Sequence, residues 1–227
     1  MNVPSEVWPP YLADQRVQEA FGIAKDVAIW NAERIYGLEV HTNDPGHMAI
    51  TAFTVVHEHQ RACGQLTHTG LLGSAMALMR PSFEVFVRGL WLQWADDAEL
   101  RRFQLGQDSL NPEKAIKSIV ERSGQTRYSD MLDMWLLSKK TLHGYVHHSY
   151  QSLIRRGGEI EVPSEEVVSL LNFSSSMAVH ASLEILELAE RDALEERREA
   201  TQAITRPLQW ELIVFLQAMG LAEPMEA

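Results

Sequence analysis

The sequence predicts an all-α protein: a single helical bundle with a long kinked central helix and short peripheral helices. Three observations predict it. Apolar residues recur at every third or fourth position through most of the 227 residues, the spacing of one face of an α-helix. Alternating β-branched runs and Asn-Gly or Asp-Gly hairpin turns are missing, and those are the usual marks of strands. The breaks between periodic stretches are short, so no linker separates two independent cores. Residues 1–227 therefore read as one all-helical domain, with a core bundle over about 14–202 and a C-terminal helix over about 206–220.

The elements follow in order. A first helix is expected from about Asp14 to Tyr36, with Gly37 as C-cap, and "HTNDPGH" reads as the loop after it. A second covers about His47 to Thr67, with Ile50, Phe53, Val56 and Cys63 along its apolar stripe. The third is expected to be the longest, about Gly70 to Phe103. Its core side carries Leu72, Ala75, Met79, Phe83, Phe86, Leu90 and Trp94. Pro81 falls inside this pattern, supplies no N–H to the Ala77 carbonyl and crowds that turn, which predicts a kink near Arg80 or a break there.

Asn111 before Pro112 starts a short helix to about Arg122, and "SGQTRYSD" reads as a turn. The next helix runs from about Ser129 to Arg155. After the break "RRGGEIEVPSEE", Ser164 is expected to cap a long helix reaching about Thr201, with Glu165 and Glu166 in its first turn. Pro207 is expected to open the last helix, and Gly220 to stop it.

Composition narrows the function classes. The formal net charge of −11 argues against broad, sequence-independent binding of nucleic acid, which needs lysine and arginine to neutralise phosphates. A local basic pocket is compatible with it. The acidic stretch "LEILELAERDALEERREA" reads as a solvated helix face. No run approaches the roughly 20 apolar residues of a membrane span; the nearest, Leu212 to Ala222, is short and contains Gln217. The N-terminus has neither the basic start nor the apolar core of a signal peptide. Cys63 is the single cysteine, so no intramolecular disulfide is possible, and a cytoplasmic location is expected. Nothing in the sequence asks for a cofactor or a resident metal.

Two stretches carry the chemistry. Arg80, Glu84 and Arg88 are spaced i, i+4, i+8 and stack on one side of the third helix, bordering its apolar stripe. A carboxylate between two guanidinium groups orients them, either as a salt-bridge ladder or as a holder for an anion such as phosphate. The second stretch is "KKTLHGYVHHSYQSLIRR". His143 and His147 are i, i+4, Tyr150 continues that face and Lys140 precedes it by one turn, while His148 points about 100° away from His147. Gly144 between the histidines weakens the helix by roughly 1 kcal/mol against alanine and suits a close approach. The zinc-protease pattern needs a glutamate where Gly144 stands, and the Glu-x-x-His pair of a di-iron bundle is missing. His41, His47, His57, His59, His68 and His180 read as structural.

Taken together, "ALMRPSFEVFVRGLWL" and "LHGYVHHSYQSLIRR" resemble a bacterial family of unknown function that pairs an Arg-Pro/Ser-x-x-Glu helix with a later His-rich helix. That family is similar to the HEPN-like helical bundles of toxin–antitoxin and phage-defence systems. Catalytic HEPN proteins resemble one another in an arginine followed, after four to six residues, by a histidine on one helix, usually completed across a dimer. Here the residue in that place before His147 is Lys140. The guanidinium would have to come from Arg80 or Arg88 on the neighbouring helix.

The resemblance implies a metal-independent ribonuclease or phosphodiesterase. His143 or His147 would take a proton from a ribose 2′-hydroxyl, and Arg80, positioned by Glu84, would stabilise charge on phosphorus. Arg88, Lys140, His148 and Tyr150 would contact the substrate, RNA or another phosphate-bearing ligand. An antitoxin protein would be the natural partner. The alternative is a non-catalytic dimeric helical module in which the Arg/Glu/His network is structural or holds a small anion. Trp210, Ile213, Val214 and Leu216 would then line a homodimer contact. A metal hydrolase using His143, His147 and Glu84 is a third reading. The enzyme readings require the third helix to pack beside the histidine helix, so that Glu84 or Arg88 approaches His143 or His147.

Overall fold

The computed structural model describes residues 9–107, 111–146 and 162–222. Eight α-helices account for most of them, and no strand occurs among the described residues. We number them α1 (Gln15–Arg34), α2 (Asp44–His68), α3 (Leu72–Trp94), α4 (Asp97–Gln104), α5 (Pro112–Ser123), α6 (Arg127–Val146), α7 (Ser164–Arg191) and α8 (Arg198–Ala218). Short 3₁₀ turns precede α1 (Pro10–Ala13) and α8 (Glu195–Arg197). The fold is an all-α bundle, as the periodicity predicts. Among the described residues no helix is long and apolar enough to cross a membrane.

Side chains cap four of the eight helix starts. Asp14 accepts from the Arg16 N–H at 2.9 Å, Asn43 from Gly46 at 2.8 Å and Asn111 from Lys114 at 3.1 Å. Each satisfies an N–H that the first turn leaves without an intrahelical partner. Asn43 moves the start of α2 ahead of His47, into the stretch expected to be a loop. Gly124 (φ +66°) and Gly220 (φ +70°) close α5 and α8 in the left-handed region. Gly37 plays no such part: α1 ends earlier, with Ile35 as its C-cap.

Several expectations are corrected. The third helix does not reach Phe103. It runs unbroken through Pro81 but stops at Trp94, where Asp96 and Glu99 form a reciprocal capping box that starts α4. Two local partners for orphan N–H groups outweigh an apolar spacing that would have carried on. α7, with 28 residues, is longer than α3, with 23; α7 packs against α1, α2, α3 and α8, and α3 against α2, α5, α6 and α7, so both helices lie at the centre of the bundle. Ser164 is its first residue rather than its cap; Pro163 holds the cap position. α7 ends at Arg191 instead of near Thr201, and α8 begins at Arg198 and passes through Pro207. The Asp192 carboxylate accepts from Thr42, ahead of α2. That tie belongs to tertiary structure and leaves no periodic signal.

The larger core gathers Phe53, Val56, Phe83, Phe86, Leu90, Ile116, Ile119, Trp135, Ile185 and Leu212 around α2, α3 and α7. Phe83 stacks on Trp135 with ring centroids 5.1 Å apart, which joins α3 to α6. A second cluster, with Val17, Cys63, Leu72, Leu170 and Leu171, lies where α1, α2 and the start of α7 meet. Each of the large side chains removed from water stabilises the fold by roughly 1.5–3 kcal/mol. In α8, Leu212 and Leu216 pack into the chain's own bundle, whereas Trp210 and Val214 are exposed. Leu216 is therefore not available to the surface expected to form a dimer.

Candidate functional site

α3 and α6 lie side by side, and the junction between them carries the first candidate site. Arg80 is half-buried on α3, just ahead of the fully packed Ser82 and Phe83. Its Nε donates to Glu84 Oε1 at 2.7 Å, the i, i+4 pair expected from the spacing. Its Nη1 reaches His143 Nδ1, on α6, at 2.5 Å. Arginine has no acceptor atom, so Nδ1 must accept in this contact, and a neutral His143 ring then carries its hydrogen on Nε2. Glu84 thus fixes one edge of the guanidinium, and the imidazole sits against another.

The approach expected between these helices is made by Arg80, and Glu84 joins it through Arg80. The Arg88 guanidinium lies 5.3 Å from the Trp91 ring centre on α3 itself and 4.8 Å from that of Phe103 on α4. The second of these cation–π contacts joins α3 to α4. Lys140 is exposed on α6. His147, His148 and Tyr150 lie outside the described residues. Among the described residues no three of His, Cys, Asp and Glu converge as metal ligands, so Glu84 and His143 have no third ligand there.

A second cluster sits elsewhere in the fold. Glu184, on α7, is 6% exposed. Tyr128 Oη donates to its carboxylate, with the two oxygens at 3.1 and 3.3 Å, and Arg127 lies 3.2 Å away. Arg127 also pairs with Glu187. These groups line a cavity of about 420 Å³ together with Gln93, Trp94, Glu190, Arg191 and Arg198. Burial pushes the Glu184 carboxyl up to about 7, against the pull of Arg127. Burial, and then the Glu184 charge, also raise the Tyr128 hydroxyl. Sequence reasoning placed Glu184 on a solvated acidic face and Arg127 and Tyr128 in a turn. The available signal was the apolar company of Glu184 in "LEILEL", with Ile185 and Leu186 both deeply buried.

The third polar cluster is closed to solvent. Ser182 Oγ donates to Asn31 Oδ1 at 2.6 Å and lies 3.0 Å from His57 Nε2. All three residues are within 1% of complete burial. The same hydroxyl lies 3.0 Å from the Ala178 carbonyl oxygen; with its one hydrogen directed at these two acceptors the serine accepts from His57 Nε2–H, so His57 is a donor here and not the base of a nucleophilic serine. Desolvation depresses the His57 pKa to about 4, so the ring is neutral. The arrangement joins α1, α2 and α7 and serves architecture, in keeping with the reading of His57 from sequence.

Neither a curated protein nor a solved structure matches the chain. Residues 53–207 match a family model described as a family of unknown function, DUF6988. The matched span contains Arg80, Glu84, His143 and Glu184 and begins at Phe53, whose ring packs against Phe86 of α3. The chain belongs to this family, DUF6988.

Proposed function

We propose that the protein holds a phosphate-bearing ligand at the junction of α3 and α6, with Arg80 and His143 as its anion contacts. The contact between these two residues, 63 positions apart in sequence, is the observation that supports this reading. A guanidinium presents donors in a planar fork that matches phosphate oxygens. Glu84 holds its Nε edge and so limits the orientations it can take. His143 adds an Nε2–H donor beside it. The net charge of −11 favours a local site of this kind over a broad binding surface.

A metal-independent ribonuclease is the second reading, and one observation favours it. The guanidinium that the His-rich helix lacks is brought to that helix by Arg80. In this reading His143 Nδ1 is engaged by Arg80, so the 2′-hydroxyl gives its proton to His147 as its oxygen bonds to phosphorus, and the displaced 5′-oxygen takes a proton from solvent. Arg80 stabilises charge on phosphorus and Lys140 holds a neighbouring phosphate. The resemblance to HEPN-like bundles supports a toxin or defence setting for such an activity.

Titration with uridine monophosphate, followed by calorimetry, tests the first reading. Binding that Arg80→Ala weakens at least tenfold in a protein with an unchanged melting curve is the expected result. Equal binding by wild type and Arg80→Ala overturns it. Cleavage of labelled RNA in EDTA tests the second, which requires Arg80→Ala and His147→Ala each to abolish turnover.

A further inference from the structure

The chain has five lysines: Lys25, Lys114, Lys117, Lys139 and Lys140. Four of them gather on the paired helices α5 and α6. Lys117 Nζ lies 2.9 Å from Glu113 and Lys139 Nζ lies 3.3 Å from the other oxygen of the same carboxylate, which ties the start of α5 to the second half of α6. Lys114 stands one turn before Lys117, and Lys140 follows Lys139. His143 is one turn beyond Lys139 and contacts Arg80. The lysine cluster is therefore continuous with the phosphate site already proposed.

The charge on this face runs against the rest of the molecule. Four lysines and Arg80 oppose Glu113 and Glu84, whereas at the opposite ends of the same two helices Arg122 and Arg127 stand against Glu121, Asp130 and Asp133. A chain carrying a net charge of −11 repels polyanions over most of its surface, and that repulsion confines a polyanion to the basic strip.

We propose that the α5/α6 lysine face is a track for successive phosphates of a single-stranded nucleic acid whose leading phosphate sits at Arg80 and His143. The inference rests on the anion site of the preceding section and deepens it: the ligand is a strand and not a mononucleotide. The lysines recognise the phosphodiester backbone, which RNA and DNA share. Selection for RNA would have to come from the site itself.

The test is fluorescence anisotropy with labelled oligouridylate and oligothymidylate of about 12 nucleotides, a length within the range that one binding fold covers. Wild type, Arg80→Ala and the quadruple variant Lys114→Gln/Lys117→Gln/Lys139→Gln/Lys140→Gln are compared from about 50 to about 200 mM salt. Single-strand binding loses about 0.7 of log–log salt slope for each phosphate contact removed. Wild-type affinity should therefore fall roughly 100-fold across this range, and that of the quadruple variant less than about 3-fold. A quadruple lysine-to-arginine variant should restore the wild-type slope, which separates lost charge from lost folding.

An unchanged slope in the glutamine variant overturns the track. So does uridine monophosphate binding that the longer strands fail to improve, although the anion site then survives. Strand binding that needs the lysines but is indifferent to Arg80→Ala keeps the track and overturns the anion site. Equal binding of the two oligomers assigns recognition to the backbone; a preference for oligouridylate adds a ribose contact at the site.

Discussion

Ser182 and Glu184 are two residues apart on α7, yet they enter opposite kinds of polar surroundings. Ser182 joins His57 and Asn31 in a cluster of neutral groups closed to solvent. Glu184 joins Arg127 and Tyr128 in a charged cluster that borders a cavity. Burial pushes both titratable groups toward their neutral forms, which lowers the His57 pKa and raises that of Glu184. The first cluster is consequently inert at neutral pH, whereas the second changes charge there. Depth alone does not separate them; the charge of the partners and the adjoining cavity do.

The largest effect is expected from removing the centre of the dry cluster. His57→Ala leaves a cavity and takes a partner from Ser182, so a loss of about 3–4 kcal/mol is expected in urea denaturation. Glu184→Ala, next to a cavity that can admit water, should cost less. If the order is reversed, the dry cluster is not the more consequential of the two.

The pH dependence comes next in size. The unfolded state protonates His57 near 6.5 and the folded state near 4. Its contribution is thus complete above 6.5 and is lost as pH falls, by roughly 3 kcal/mol at the limit. Glu184 has the opposite sign. Its folded pKa of about 7 lies above the ordinary 4.5, so its contribution is present below 4.5 and is lost, again by roughly 3 kcal/mol, as pH rises through 7. The two slopes oppose each other between about 4.5 and 6.5. Wild-type stability should be nearly flat there as far as these groups set it. Glu184→Gln should expose a fall toward acid, and His57→Asn a fall toward neutrality. Parallel profiles for the two variants would contradict the assignment.

The smallest effect concerns the rim. Glu187 pairs with Arg127 but is 40% exposed, and exposed ion pairs contribute under about 1 kcal/mol. Glu187→Gln should shift a denaturation midpoint only slightly, and added salt should shrink the difference further. A loss as large as that of His57→Ala would mean that the charged cluster depends on Glu187 as much as on Glu184.

At the α3/α6 junction the i, i+4 relation of Arg80 and Glu84 was legible from spacing, because helix geometry alone makes such residues neighbours. His143 was legible as a residue, and Arg80 and Arg88 as the two candidate guanidinium groups beside it, but the choice between them was not: Arg80 and His143 meet where Phe83 stacks on Trp135 and joins the two helices. Arg88 had the same spacing from Glu84 and went to Trp91 and Phe103 instead. Glu184 was misplaced for a related reason. An acidic residue on a helix reads as solvated until the helices that cover it, α3 and α6, are in place.

The all-α class, the apolar faces of the helices and several of their caps are written in the order of residues, since periodicity and capping act within a few residues of the chain. Contacts between helices set where the long helices break, which of them is longest, and which arginine meets which histidine. They also bury one glutamate of an acidic run. Those outcomes depend on contacts between segments far apart in sequence, and the energies of such contacts are not written in any local pattern.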